Sequence, residues 1–224
     1  MAAPGISMPV VLIAEKLLLV AVDDKGHVPA GSDAFVKVGL TGALLAELAI
    51  DGHLTIGNDG TVRTGDARPG DELLADVYDA VRDHLEGKKA RQVIGGLSRH
   101  IGGSRDRVVD RLVSAGVLGR DRPSVLRPTR HPVLDTAARQ AVLDQVRAAA
   151  RGEAPVRPGV VVVLALAGPC RLLERVAPDR GTRGEAEKQI ARAAAATPFA
   201  PGVAKIIDEL IAAVAVTAAT TAAS

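Results

Sequence analysis

The sequence has very few aromatic residues and a single cysteine. Its 224 residues include no tryptophan, one tyrosine and two phenylalanines, so a hydrophobic core must be built from leucine, valine, isoleucine and alanine. Because alanine and leucine are strong helix formers, this composition predicts a mainly helical chain. The lone Cys170 excludes an internal disulfide and a multi-cysteine metal site.

Long hydrophobic runs are also missing. The apolar run from Val160 to Ala167 is far shorter than the ~20 residues that a membrane-spanning helix requires. The N-terminal stretch before Glu15 is apolar but has no basic n-region, which argues against a signal peptide. We therefore expect a soluble, intracellular protein that contacts a membrane only at its surface.

Patterns typical of enzymes are absent from the sequence. No nucleophile-elbow, Walker or dinucleotide-binding glycine pattern occurs. The acid pairs Asp23-Asp24 and Asp71-Glu72 fall at a turn and at a helix start, where we expect structural roles. The histidines are dispersed, with no two at metal-ligand spacing: His27, His53, His84, His100 and His131. We predict no enzymatic activity, no cofactor and no metal.

The basic charge is concentrated between Lys88 and Arg130. This stretch has eleven basic residues against three acidic ones, a net charge of +8, whereas the rest of the chain has 17 basic and 23 acidic residues, a net charge of −6. Such asymmetry is typical of a protein with a polyanionic partner, either nucleic acid or an anionic membrane surface.

A glycine-rich turn and a basic helix lie at the centre of this stretch. Gly102 and Gly103 predict a tight turn, and Ser104 is a preferred N-cap residue. An apolar stripe at helical spacing follows from Arg105, and Gly116 is predicted to end the helix in a left-handed conformation.

Two explanations remain for the cations in the first turn of this helix. Arg105 and Arg107 face the positive end of the helix dipole, which costs roughly 0.3–1 kcal/mol unless an anion is nearby. A phosphate would reverse that sign, because a helix N-terminus offers free N–H donors. Alternatively, the glycines only end the preceding helix, and the arginines are solvated or paired with Asp106 and Asp110.

Hydrophobic periodicity predicts helices along most of the chain. The stretch from Val10 to Ala21 is predicted to be buried. Its apolar residues are too dense for their spacing to distinguish a helix from a strand. Further helices are predicted over Phe35 to Asp51, Asp71 to Leu85, Lys89 to Ile101, Thr136 to Arg151, Val160 to Val176, Glu185 to Ala196 and Val203 to Ala219. Hairpins are predicted around Asn58-Asp59-Gly60 and over Val117 to Thr129. The predicted fold is mainly α, a compact single-domain helical fold with small β-hairpins over residues 1–224, with flexible ends at about 1–8 and 220–224.

Two segments of the chain resemble each other. Aligning Gly52 with Gly116 matches two amphipathic helices, each followed by a glycine, a strand and a hairpin. This order is that of half a winged helix, with the Arg105 helix in the position of a recognition helix. A winged-helix-like nucleic-acid-binding protein is therefore the alternative to a membrane-binding one.

The order of several motifs resembles the Golgi phosphoprotein three family of peripheral, phosphoinositide-binding proteins. The motifs run from Glu15 to Pro178: EKLLLVAVDDKG, GLTGALLAELAIDGHL, DELLADVYDAV, SRDRVVDRLVSAGVL, HPVLD and LLERVAP. The resemblance implies a compact, mostly helical domain that recognises phosphatidylinositol-4-phosphate on a basic face and serves as an adaptor rather than an enzyme.

The resemblance also implies where the lipid headgroup binds. The family's pocket consists of a tryptophan, an arginine ahead of the second helix and two arginines at the start of the central basic helix. One of these two arginines aligns with Arg105 and the other with Gly102, while Arg107 matches a further basic position of that helix. The remaining arginine aligns with Thr41, and the tryptophan falls near Ser32. The predicted phosphate-binding residues are Arg105, Arg107, Ser104, Gly102 and Thr41.

A membrane-inserting hairpin is the second implied feature. The corresponding segment here runs from Arg120 to Arg130, and its apolar residues are Val125 and Leu126. We predict a non-enzymatic, cytoplasmic adaptor that binds anionic phospholipid, by resemblance phosphatidylinositol-4-phosphate, at the cytoplasmic face of a membrane. A protein cargo and, in a homo-oligomer, further copies of the chain itself are the other partners that this prediction includes.

Overall fold

The computed structural model describes residues 12–29, 31–57, 59–120, 131–153 and 157–195, together with Glu209, Ala212 and Val216. These residues form a mainly α fold with one small sheet, as the composition predicted. The helices are α1 (Ile13–Ala21), α2 (Asp33–Ile50), α3 (Glu72–Ala80), α4 (Ala90–Ile101), α5 (Ser104–Ser114), α6 (Thr136–Ala150), α7 (Pro158–Ala167), α8 (Leu173–Val176) and α9 (Arg180–Ala195). The strands are β1 (Leu54–Ile56) and β2 (Val62–Thr64).

Helices α1 and α7 form the centre of the core. Helix α1 packs against α2, α5, α6 and α7, and every α1 residue except Lys16 is buried. Residues 160–167 of α7 are buried without exception. Helices that are apolar on all sides must be buried on all sides, which explains why no hydrophobic period could identify α1 as a helix.

The first predicted hairpin is confirmed. Strands β1 and β2 pair antiparallel, with Leu54 opposite Thr64 and Ile56 opposite Val62. Helix α3 follows and continues as a π-helical turn over Val81–Leu85. As expected for the acid at this helix start, Asp71 caps α3 by accepting the N–H of Leu74 at 3.1 Å.

The two segments that resemble each other in sequence end in the same backbone motif. Gly52 and Gly116 both have positive φ, 79° and 71°. The following residues bond back to the helix: His53 donates to Leu48 O at 2.8 Å, and Val117 donates to Leu112 O at 2.9 Å. This is the Schellman arrangement that a left-handed glycine permits.

The C-terminal third differs from the prediction in its boundaries. The helix predicted over Val160 to Val176 is broken after Ala167, because Gly168 and Pro169 follow and proline has no N–H to continue a helix. Arg171 in this turn has φ 58°. Helix α9 begins five residues before its predicted start, since Asp179 binds the N–H of Thr182 at 2.9 Å and supports an earlier turn.

Several predictions lie outside the described residues. They are the hairpin residues 121–130, the ends 1–8 and 220–224, and most of the helix predicted over 203–219, of which Glu209, Ala212 and Val216 are described and helical. The predicted single domain over the whole chain stays a prediction. No helix within the described ranges is both long and apolar enough to cross a membrane.

Candidate anion-binding site

The turn between α4 and α5 is made of two glycines with positive φ. Gly102 has φ 74° and ends α4, and Gly103 has φ 94° and is the N-cap of α5. The tight turn is therefore confirmed, but the predicted cap is wrong by one residue. Ser104 is the first helical residue, and its hydroxyl does not cap the helix because it faces the core.

Ser104 instead bonds to helix α2. Its Oγ lies 2.8 Å from Thr41 Oγ1, and both residues are buried. Thr41 Oγ1 also donates to the carbonyl oxygen of Lys37 at 3.2 Å. Two residues that the sequence placed in the phosphate site, 63 positions apart, are thus in direct contact.

A cleft of about 440 Å³ opens beside this contact. It is lined by Lys37, Val38, Thr41, Ile94, Gly95, Ser98, Gly103, Ser104, Arg105 and Asp106. The N-cap residue of α5, Gly103, has no side chain to cap the first N–H groups of the helix, so hydrogen-bond donors, a guanidinium and an ammonium group border one space. This is the set of groups that binds phosphate or carboxylate oxygens in proteins.

Arg105 is bound within the molecule. Its guanidinium pairs with Asp33 at the start of α2, and Lys37 pairs with the same carboxylate at 2.9 Å. The sequence alternative that paired this arginine with Asp106 or Asp110 is wrong. Asp33 instead counters both cations of the cleft, and an anion that enters must compete with it.

Arg107 lies elsewhere. It pairs with Asp76 of α3 and borders two other clefts, of about 260 and 570 Å³. Neither cleft shares its walls with Thr41 or Ser104. Of the five predicted phosphate-binding residues, the 440 Å³ cleft thus brings together Thr41, Ser104 and Arg105, with Gly102 in the adjoining turn.

Most cations of the described part of the basic stretch, residues 88–120, are neutralised. Five of them are in ion pairs: Lys89 with Asp59, Arg105 with Asp33, Arg107 with Asp76, Arg111 with Glu15 and Asp71, and Arg120 with Asp110. Within the described ranges, Lys88, Arg91 and Arg99 have no ion-pair or hydrogen-bonding partner for their side chains, and all three are exposed.

One histidine, His131, is influenced by Arg105 of the cleft. Burial lowers the pKa of His131, and the nearby Arg105 and Arg120 lower it further. Its Nδ1 is buried and makes no hydrogen bond to the described residues. His131 follows the predicted insertion hairpin, whose apolar pair Val125 and Leu126 lies outside the described residues.

The chain on either side of that hairpin is paired. Leu118 and Val133 form an antiparallel bridge, and Gly119 donates to Pro132 O at 2.7 Å. The pairing therefore reaches beyond Thr129, where the sequence placed the end of the hairpin. Leu134 beside it is 63% exposed, unusual for a leucine in this structure.

Sequence reasoning missed three residues in these clefts. Lys37 lines the 440 Å³ cleft, and its position one helical turn before Thr41 was the available signal. His84 and His100 stack with ring centroids 4.4 Å apart beside Arg107. Sixteen positions separate these histidines, and only the packing of α4 against the π-helical turn reveals the pair.

A family model described as Golgi phosphoprotein 3 (GPP34) matches residues 13–210, most of the chain. No curated protein matches the sequence.

Proposed function

The chain belongs to the Golgi phosphoprotein 3 family, and from this membership we propose that it is a non-enzymatic, peripheral membrane protein that binds anionic phospholipid. By resemblance the lipid is phosphatidylinositol-4-phosphate, and the site is the cleft at the N-terminus of α5. The protein would act as an adaptor at the cytoplasmic face of a membrane, with a protein cargo as a further partner.

One observation carries the proposal. Thr41, Ser104 and Arg105 come from two distant segments that the family resemblance linked to a headgroup, and they line one cleft. Lys37 adds a second cation to the same space. If the matched motifs reflected only the packing of the hydrophobic core, these polar groups would have no need to meet at the start of α5.

The chemistry of the cleft suits a phosphate monoester. Such a group carries close to two negative charges near neutral pH and several strong acceptor oxygens. The free N–H groups of α5 and the guanidinium of Arg105 would supply charge-assisted hydrogen bonds. The Arg105 guanidinium can exchange its ion pair with Asp33 for one with the ligand. The Asp33 carboxylate would then keep Lys37 as its partner.

Vesicle flotation tests this function directly. The protein should float with vesicles that contain phosphatidylinositol-4-phosphate, and more weakly with phosphatidylserine vesicles of equal total charge. Binding should fall as salt rises, because the Debye length is ~10 Å at 0.1 M. Equal binding to neutral phosphatidylcholine vesicles at every salt concentration would contradict the proposal.

A parallel experiment separates the cleft from a general electrostatic field. Arg105→Ala should weaken binding to the phosphoinositide vesicles much more than Arg120→Ala, although each variant loses one charge. A DNA gel shift with the same wild-type preparation addresses the alternative partner. DNA binding without vesicle binding would favour the nucleic-acid function over the proposed one.

A further inference from the structure

Helix α4 carries cations that nothing in the described structure neutralises. Of the eight basic residues between Lys88 and Arg120, only Lys88, Arg91 and Arg99 lack an ion-pair partner within the described ranges. Arg91 and Arg99 both belong to α4, whose sequence ARQVIGGLSRHI contains no acidic residue. Among the described residues 88–120, the unpaired cations are thus on α4 and at Lys88 just before it, and not on α5.

The two arginines share one exposed face of the helix. Arg91, Gly95 and Arg99 are spaced i, i+4 and i+8, which places them in a single row. All three are exposed, whereas the opposite face of α4 buries Val93, Leu97 and Ile101. At 1.5 Å per residue, the two guanidinium-bearing positions lie about 12 Å apart along the axis.

This row borders the 440 Å³ cleft. Gly95 lies between the two arginines and lines the cleft together with Ser98. The row thus meets the cleft at Gly95, and Arg91 and Arg99 lie about one helical turn to either side of it along α4. An anionic surface that presents one phosphate to the cleft would bring its neighbouring headgroups against α4.

Resting on the proposed function, we propose that the exposed face of α4 is the membrane-facing surface of the protein, with Arg91 and Arg99 contacting anionic headgroups on either side of the lipid held in the cleft. The occupant is an anionic bilayer, which matches an exposed row of positive charge without acids. The row offers no aromatic residue for stacking bases, so single-stranded nucleic acid fits it less well.

The test compares two double variants with the same change in net charge. Arg91→Ala/Arg99→Ala removes the free cations, and Arg151→Ala/Arg192→Ala removes two arginines that pair with Glu153 and Glu185. Each basic residue near an anionic bilayer contributes about fivefold in affinity at low salt, so the α4 variant should bind phosphatidylserine vesicles about 25-fold more weakly than the wild type. The control variant should stay within about twofold.

The α4 variant should also show a shallower salt dependence and an unchanged thermal midpoint, since both arginines are exposed and alanine favours a helix. Arg91→Lys/Arg99→Lys should bind like the wild type because the charge is retained. Equal losses in the two alanine variants, or a loss in the lysine variant as large as in the alanine one, would overturn the inference. A loss of DNA binding with unchanged vesicle binding would also overturn it.

The outcome is distinguishable from failure of the proposed function. If wild-type protein does not bind anionic vesicles, the proposed function fails, whatever the variants do. If the wild type binds and Arg105→Ala weakens binding while the α4 variant does not, the cleft stands and the membrane-facing role of α4 is wrong.

Discussion

Thr41 Oγ1 and Ser104 Oγ lie 2.8 Å apart in the buried contact between α2 and α5. Because the hydroxyl hydrogen of Thr41 is donated to Lys37 O, Ser104 is the donor in this pair. The bond holds the start of α5 against the middle of α2. It thereby fixes the positions of α2 and α5, which both line the 440 Å³ cleft.

We expect Thr41→Val to destabilise the protein by about 1–3 kcal/mol, because the Ser104 hydroxyl would stay buried without its acceptor. The double variant Thr41→Val/Ser104→Ala should cost less than the sum of the two single variants, since it leaves neither hydroxyl unpaired. Urea unfolding of all four proteins measures this coupling. Strict additivity would show that the two hydroxyls do not act as a pair.

A second prediction concerns the ion pairs of Arg111. Its guanidinium binds Glu15 at 2.9 Å and Asp71 at 2.8 Å, and the Glu15 side chain is only 8% exposed. Arg111→Met should cost about 3–5 kcal/mol of unfolding free energy, because a buried carboxylate loses its partner. Adding Glu15→Gln should recover part of the loss. The matched control Arg120→Met, at a pair exposed on both sides, should cost less than about 1 kcal/mol.

The helices were largely predictable because their signals are local. The caps and stop signals at Asp71, Gly52 and Gly116 depend on backbone conformations that the residue type itself favours. The break at Gly168-Pro169 was visible in the sequence as well, but the apolar residues on both sides suggested one continuous helix. Helix α1 could not be identified by period, since its burial on every side removes the polar residues that define one.

The candidate site was only partly predictable because its electrostatics are not local. The family resemblance led to Thr41, Ser104 and Arg105, which do share a cleft. The acids that neutralise Arg105 and Arg107 of α5 come from α2 and α3, at Asp33 and Asp76, so no count of charge along the segment could find them. A net charge of +8 for the stretch therefore overstated the positive face of α5.

The third prediction is a dependence of stability on pH through Glu47. Burial raises the pKa of this carboxyl to about 7 from 4.5. Since the folded pKa lies above the unfolded one, the contribution of Glu47 to stability is present in full below about pH 4.5. It is lost as the pH rises through 7, at a cost of up to about 3 kcal/mol.

Glu47→Gln removes this titration, so the variant should gain stability relative to the wild type as the pH is raised from 5 to 8. Chemical denaturation at several pH values gives the difference between the two proteins. Glu187→Gln, at an exposed carboxyl of α9, is the control and should show no such trend. A constant difference between Glu47→Gln and wild type would mean that Glu47 does not titrate in this range.

The last prediction concerns Asp33, whose carboxylate forms ion pairs with both cations of the cleft, Arg105 and Lys37. Asp33→Asn removes the acid that competes with a phosphate for Arg105 and Lys37, so binding to phosphoinositide vesicles should strengthen by about fivefold, the effect of one charge near an anionic surface. Asp110→Asn is matched to it, because Asp110 also pairs with an arginine, but that arginine, Arg120, does not line the 440 Å³ cleft as Arg105 does. If lipid is bound in the cleft, Asp33→Asn should gain clearly more than Asp110→Asn in parallel vesicle titrations. Equal gains would mean that only total charge matters, and that Arg105 has no greater part in binding than any other arginine on the surface.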